Sequence, residues 1–306
     1  MKSLRHDFQS ATASLQARAI ASRDTAGDVG TSIATETEAR RESPAAVVTA
    51  AGKRLGEALR TIEEYLKTED AAIARQLEQF RYRTYDLERM ILLTTSPGRE
   101  RMAGVALHVL VTASLCKKPW LETAERALAG GAGCLQLREK KMDGGELLCR
   151  AKQLVALCRR YGAVSIINDR PNVALLSDAD GVHVGQGDLP AMAARQLLGP
   201  GKIVGVSTRS MDQATRAVID GADYVGVGPV FASTTKPQEN LVGLAYAEQA
   251  AKTLPIPAVA ISGITTDTIA RLRAAGVRHA AVSSAVLASD DPEAVARSLL
   301  QALATR

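Results

Sequence analysis

Two aspartates, Asp169 in "SIINDR" and Asp188 in "GVHVGQGD", each follow a short apolar run, with Asn168, Arg170 and Gln186 beside them. Carboxylates at the ends of two neighbouring strands offer hard oxygen ligands and leave positions open for water and phosphate, which suits Mg2+. Arg138 and Lys140 in "QLREK", Arg209 after "GVST" and Lys236 in "ASTTK" bring positive charge to comparable strand ends. "SGITTD" and "VSSAV" supply hydroxyls, a glycine and helix starts, the materials of a backbone N–H cradle for phosphate. This collection fits a ligand with more than one phosphate group, or two phosphorylated ligands. A Mg2+ bridging a diphosphate would stabilise charge on a departing group. Each acid also has a plainer reading: Asp169 pairs with Arg170 or Arg138, and Asp188 caps a helix starting near Leu189. Two acids at adjacent strand ends, surrounded by cations, favour the metal.

The elements that must position these residues begin near Val105. Strand-like runs such as "ALHVLVTA", "CLQLREK", "SIINDR", "GVHVG", "IVGVST", "YVGVGPVF", "AVAISGI" and "AAVSSAV" alternate with helix-compatible segments. Eight β–α units in roughly 200 residues predict a (β/α)8 TIM barrel, in which chemistry sits at the C-terminal ends of the strands. A doubly wound nucleotide fold would place GxGxxG after the first strand, but that strand ends in "VTASLCKKP".

Several alternatives find less support. His183 lies inside "GVHVG" and reads as a hydrogen-bonded core histidine rather than a general base. Ser207, Ser233 and Ser284 have no nearby His–acid pair in sequence, so a Ser-His-Asp hydrolase is unsupported. Lys140 or Lys236 could form a Schiff base, as in barrel aldolases, but that chemistry does not call for the paired acids. Aromatics make up only 3% of the 306 residues, which argues against a base-stacking nucleic-acid binder. The net charge of +5 fits phosphorylated small molecules or an ordinary solvated surface. Cys116, Cys134, Cys149 and Cys158 lack metal or disulfide spacing, and reduced thiols in a cytoplasmic protein account for them. No apolar run approaches the roughly 20 residues of a membrane helix.

Residues 1–97 carry helical period with almost no strand signal, which predicts a smaller all-α domain ahead of the barrel at 98–306. Ser43 and Pro44 form an N-cap and first-turn pair, and Leu55, Leu59, Ile62 and Leu66 fall at helical spacing. Ile73, Leu77, Phe80, Tyr85, Leu87 and Ile91 extend the expected core into a second helix. "RDTAGDVGTSIATETEARRE" reads as loop at its start, and "TTSPGRE" (94–100) as the linker.

Taken in order, "QLREK", "NDR", "DGVHVGQGD", "GVST", "YVGVGPVF" with "STTK", "SGI" and "SSAV" resemble thiamine phosphate synthase over residues 105–306. The resemblance implies condensation of 4-amino-2-methyl-5-(diphosphooxymethyl)pyrimidine with a thiazole phosphate, giving thiamine phosphate and diphosphate. It implies that Gln136, Arg138, Lys140 and Asn168 hold the pyrimidine diphosphate and that Asp169 and Asp188 bind Mg2+. Ser207 and Lys236 would contact the diphosphate side, and Ser233, Thr235, Gly263, Ser283 and Ser284 the thiazole and its phosphate. Arg138, Lys140 and Lys236 are the residues expected to assist departure of the diphosphate. The family's usual "PTxTK" is "ASTTK" here, so Ala232 replaces a proline and Ser233 a threonine. "GGI" becomes "SGI" with Ser262 in the first position, a change expected to narrow the thiazole phosphate pocket, and Arg209 stands where a histidine is usual. A thiazole tautomerase-like barrel is the alternative, but it resembles this chain poorly in the diphosphate and metal motifs.

"SLRHDF", "RDTAGDVGT" and "AGKRLGEALRTIEEYLK" through "FRYRTYDLERMI" resemble the helical module found in front of some of these synthases. That module has been linked to phosphorylation of hydroxymethylpyrimidine phosphate. Its first copy begins here only at "SLRHDF", so the chain is expected to start inside the module. The choices are a kinase remnant or a structural or oligomerisation module, and no GxxxxGK[ST] appears to support nucleotide binding. A homo-oligomer is compatible with either choice; nucleic acid and membrane are not expected partners.

Overall fold

A computed structural model describes residues 2–24, 27, 41–94, 96–233 and 240–304. The chain divides into two compact units, residues 1–95 and 96–306. None of the described helices is long and apolar enough to cross a membrane.

The first unit contains α1 (Lys2–Ala11), α2 (Ala13–Ala21), α3 (Pro44–Leu66) and α4 (Ala71–Thr94) among its described residues. Ser43 caps α3, its hydroxyl accepting the Ala46 N–H at 3.2 Å, and Pro44 occupies the first turn, where a missing N–H costs nothing. Asp70 begins α4 by accepting the N–H groups of Ala72 and Ile73 at 2.9 and 3.1 Å. The short turn between α3 and α4 returns the chain, and Leu59, Leu66, Ala74, Leu77 and Phe80 form the core with Phe8, Ala11, Leu15 and Ile73 against it. Phe8 and Phe80 meet edge to face at 5.6 Å. The expected stripe is too wide: Leu55, Ile62 and Tyr85 are exposed. Glu63 takes an inward position instead, buried against the Arg81 guanidinium at 3.0 Å. A two-helix hairpin with one thin partner layer can bury only a narrow face. Apart from Arg23, Asp24, Gly27, Arg41 and Glu42, the segment expected to begin as loop lies outside the described residues.

The expected linker is in part a helix. Ser96 caps α5 (Pro97–Ala103) by accepting the Gly98 N–H at 3.2 Å, and α5 belongs to the second unit. Then come β1 (Leu107–Val111), α6 (Trp120–Ala129), β2 (Cys134–Leu137), α7 (Gly144–Tyr161), β3 (Val164–Asn168), α8 (Pro171–Leu176), β4 (Gly181–Val184) and α9 (Ala191–Leu198). The order continues with β5 (Ile203–Thr208), α10 (Met211–Ile219), β6 (Tyr224–Val227), α11 (Gly243–Thr253), β7 (Ala258–Ile261), α12 (Ile269–Ala274), β8 (His279–Val282), α13 (Ser284–Leu287) and α14 (Pro292–Ala304). The eight strands are all parallel and close in chain order, with β8 pairing β1. This is the TIM barrel.

Strand alternation sends side chains to two separate cores. Val109, Leu135, Ile167, Val182, Val204, Val225 and Ala260 pack under the helices. Leu110, Cys134, Ile166, Ile203, Tyr224, Val259 and Ala281 fill the barrel interior, with Met102 of α5 fully buried among them. Because both faces of every strand are covered, the strands read as continuous apolar runs. At the N-terminal end, Arg195 of α9 reaches the buried Asp223 carboxylate at 2.6 Å, and the same oxygen accepts the Val204 N–H at 2.8 Å. Gly181 admits no side chain there, since a Cβ would sit 2.1 Å from the Ile203 carbonyl oxygen across the ladder.

Candidate active site

At the C-terminal ends of the strands lies a cavity of about 900 Å3. Its lining includes Gln136, Arg138 and Lys140 after β2, Asn168 and Asp169 after β3, Asp188 after β4 and Ser207 on β5. Ser233, Gly263, Ser283 and Ser284 line it from the later strands. Thr235 and Lys236 lie outside the described residues.

The acidic side is built from unusual backbone. Asp169 has φ +61°, the left-handed region, and its N–H donates to the His183 carbonyl oxygen at 2.8 Å. That single residue turns the chain sharply at the end of β3, so its carboxylate faces the cavity; the cost of the conformation is about 1–2 kcal/mol. The Asp188 carboxylate accepts the Gly185 N–H at 2.7 Å, which closes the turn after β4. Asp169 pairs with Lys140 at 3.2 Å, rather than with Arg170 or Arg138. Burial, together with the facing Asp188 carboxylate, pushes the Asp169 carboxyl above its usual range, although Lys140 works in the opposite direction. Two carboxylates and one ammonium thus line the same side of the cavity. The carboxylates are an all-oxygen donor set that fits a hard divalent cation. Among the described residues no cluster of three or more His, Cys, Asp or Glu is arranged to hold a metal, so such an ion would draw its other ligands from phosphate and water.

The remaining wall is held by backbone and hydroxyl contacts. The Arg138 N–H donates to Val111 O at 2.8 Å, and Thr112 Oγ1 donates to Arg138 O at 2.9 Å, so the start of the cationic loop is clamped to β1. Glu139 accepts the Ala113 N–H at 2.7 Å, tying the same loop to the turn after β1. Gly263 has φ +64°, and a Cβ there would lie 2.3 Å from the Ala232 carbonyl oxygen. Thr268 Oγ1 donates to Gly263 O and accepts the Thr265 N–H, each at 2.9 Å, which fixes the loop after β7. Ser262 also has a left-handed backbone, φ +84°, and its hydroxyl donates to Phe231 O at 3.0 Å. The Ser283 hydroxyl donates to Leu110 O at 3.0 Å, which fixes this side chain at the end of β8.

His183 is buried, with Nδ1 3.0 Å from the Tyr224 hydroxyl and Nε2 2.8 Å from Ser207 Oγ. Burial pushes its pKa down to about 4, which keeps the ring neutral. Gln186 Nε2 donates to the Ser207 carbonyl oxygen at 2.7 Å. Sequence reading overlooked Tyr224. Its only prior signal was an aromatic residue opening the strand "YVGVG", whose alternate glycines imply bulk on a neighbour.

A family model described as thiamine monophosphate synthase matches residues 107–286, and one described as the ThiD2 family matches residues 1–90. Over 283 residues the chain is 44% identical to the thiamine-phosphate synthase of Thermosynechococcus vestitus, covering 92% of this chain and 80% of that one. It is 41% identical to the thiamine-phosphate synthase of a Synechocystis strain, covering 92% and 81%. Among solved structures, the thiamine phosphate pyrophosphorylase from Pyrococcus furiosus superposes with a TM-score of 0.60 at 34% identity, covering 67% of this chain and 96% of that one. Motif order, strand-end geometry and relatedness along most of the chain agree, and the chain belongs to the thiamine-phosphate synthase family.

Proposed function

We propose that the cavity joins the pyrimidinylmethyl group of 4-amino-2-methyl-5-(diphosphooxymethyl)pyrimidine to the ring nitrogen of a thiazole phosphate, with the following division of labour. Gln136 and Asn168 orient the pyrimidine diphosphate. Arg138, Lys140 and Lys236 carry positive charge to the diphosphate as its C–O bond breaks, the electron pair leaving with oxygen. Charge placed in advance where it develops is worth more in a water-poor cavity than in solution. The electron-rich pyrimidine stabilises the resulting cation, and the thiazole nitrogen then attacks the methylene carbon. No proton need be removed to form that C–N bond, so a neutral His183 raises no difficulty. Ser207 donates to the diphosphate, while Ser233, Thr235, Gly263, Ser283 and Ser284 receive the thiazole phosphate. Asp169 and Asp188 would hold Mg2+, which when bound supplies further neutralisation of diphosphate charge.

One observation carries this reading: an acidic pair and the cations of "QLREK" share one cavity with a wall of hydroxyls and a left-handed glycine. The test is direct assay of the full chain with both substrates and Mg2+. Thiamine phosphate and diphosphate in equal amounts support the reading; isomerisation of a carboxythiazole phosphate without coupling contradicts it. For residues 1–95, similar to the ThiD2 family over residues 1–90, we infer one of two roles: a hydroxymethylpyrimidine phosphate kinase remnant or a structural or oligomerisation module. ATP-dependent formation of the pyrimidine diphosphate by the full chain would select the first, and its absence the second. Four free cysteines support a cytoplasmic setting.

A further inference from the structure

The floor of the cavity contains polar groups to which the coupling chemistry assigns no task. Tyr224 is 1% exposed and points into the barrel from the start of β6. Its ring fits because its ladder partner is Gly205, where a Cβ would lie 2.2 Å from the tyrosine Cζ. The His183 ring fits in the same way over Gly226, where a Cβ would lie 3.1 Å from its Cε1. Two inward glycines therefore make room for two neighbouring rings, tilted 33° to each other with centroids 5.4 Å apart. The rings form a chain of hydrogen bonds: Tyr224 hydroxyl to His183 Nδ1 at 3.0 Å, and His183 Nε2 to Ser207 Oγ at 2.8 Å. Ser207 is the only member of this trio whose oxygen opens onto the cavity from a half-buried position, and His183 lies beneath it.

The direction of the protons along this chain follows from hydrogen-bond capacity. A neutral imidazole donates from one nitrogen and accepts at the other. Burial keeps the Tyr224 phenol protonated, so it has a proton to give. For Ser207 to donate to an anion its oxygen must accept from Nε2, and Nδ1, whose partner is the Tyr224 hydroxyl, must then accept the phenol's proton. Nε2 then carries the imidazole proton and donates to Ser207 Oγ, which leaves the serine proton to point into the cavity. An anion there meets a donor rather than a lone pair.

We propose that Tyr224 is a positioning residue, acting through the tautomer of His183 to aim the Ser207 hydroxyl at the departing diphosphate. The inference rests on the reading of Ser207 as a diphosphate contact. Two experiments test it. The first is 15N NMR of the full chain, in which His183 is one of four histidines, alongside His6, His108 and His279. The Nε2–H tautomer is expected in the unaltered protein, and a mixture in Tyr224→Phe; the Nδ1–H tautomer in the unaltered protein overturns the proposal, even if the variant does not fold. The second is a kinetic cycle of Tyr224→Phe, Ser207→Ala and the double variant. Tyr224→Phe is expected to lower kcat/KM for the pyrimidine diphosphate by about tenfold, the loss of one aimed bond to a charged group, and that for thiazole phosphate by less than about twofold. In the Ser207→Ala background the tyrosine change should add no more than about twofold. Additive losses, or equal losses toward both substrates, mark Tyr224 as mere packing and refute the relay. An unimpaired Ser207→Ala enzyme refutes the diphosphate role of Ser207, a failure told apart from the first by the tautomer.

Discussion

Replacing Lys140 by Ala separates charge stabilisation in the reaction from stabilisation of the fold. The Lys140 side chain is 52% exposed and meets Asp169 at 3.2 Å. A pair this accessible is worth about 0–1 kcal/mol to folding, because water screens it and two side chains are ordered to make it. In the proposed reaction the same ammonium would face a diphosphate gaining charge, and a hydrogen bond to a charged group is worth about 1.5–3 kcal/mol. That difference translates into a fall of roughly 10- to 150-fold in kcat/KM for the pyrimidine diphosphate. The assay is steady-state production of thiamine phosphate at fixed ionic strength, paired with a thermal midpoint. Lys140→Arg should recover part of the loss, since it keeps the charge but alters its position. A loss of less than about twofold with a normal midpoint would refute the role of Lys140 in the departing charge. A large loss accompanied by a much lower midpoint would assign the residue to the fold instead.

Further outcomes follow from the same structure. Gly263→Ala must hold a left-handed backbone and place a Cβ 2.3 Å from Ala232 O and 2.7 Å from Phe231 Cβ. It should cost at least about 1–2 kcal/mol of stability, read by urea unfolding, and raise KM for thiazole phosphate more than for the pyrimidine. Asp180 accepts the Ser165 N–H and hydroxyl at 2.8 and 2.7 Å and Arg101 Nη1 at 2.5 Å. Burial opposes its charge, but these partners prevail and its carboxyl sits below the usual range. Its stabilisation is therefore present above the unfolded carboxyl value and lost as pH falls through the lowered one. Asp180→Asn should cost about 1–3 kcal/mol at pH 7, and the deficit should shrink toward pH 3 in urea titrations. His108 is fully buried, and that burial, aided by His279 and His183, pushes its pKa down to about 3. The unfolded ring takes a proton below about pH 6.5 while the folded one does not, so stability falls as pH drops from there to about 3. His108→Leu should bind about one proton fewer on unfolding at pH 5, measured from the pH slope of the unfolding free energy.

Much of the barrel could be read without coordinates because a closed parallel sheet covers both faces of each strand. Val164–Asn168 and Ile203–Thr208 then appear as apolar runs, and whatever polar residue follows each run must lie at one rim. This is why the positions of Arg138, Asp169, Asp188 and Gly263 at one rim are legible in the sequence. The same uniformity hides which way each side chain points. Tyr224 and Val225 look equally buried in sequence, yet one fills the barrel and the other packs under a helix. The left-handed turn at Asp169 has no local sequence mark, since a glycine would be the usual occupant. In the helical unit, apolar spacing is wider than the face that becomes buried. Leu55 and Ile62 satisfy helical spacing, but the neighbouring helix reaches only the line through Leu59, Glu63 and Leu66. Glu63 could not have been foreseen inside, because its partner Arg81 comes from the next helix.

The central proposal is that the carboxylates of Asp169 and Asp188 would hold a divalent ion, which would neutralise charge on the diphosphate. Its most direct test is a Mg2+ titration of turnover in Asp169→Ala, with kcat read at saturating concentrations of both substrates. The account expects a fall in kcat on the order of a hundredfold or more, and a higher Mg2+ concentration for half-maximal rate. A kcat near that of the unaltered enzyme, with the same Mg2+ dependence, would contradict it.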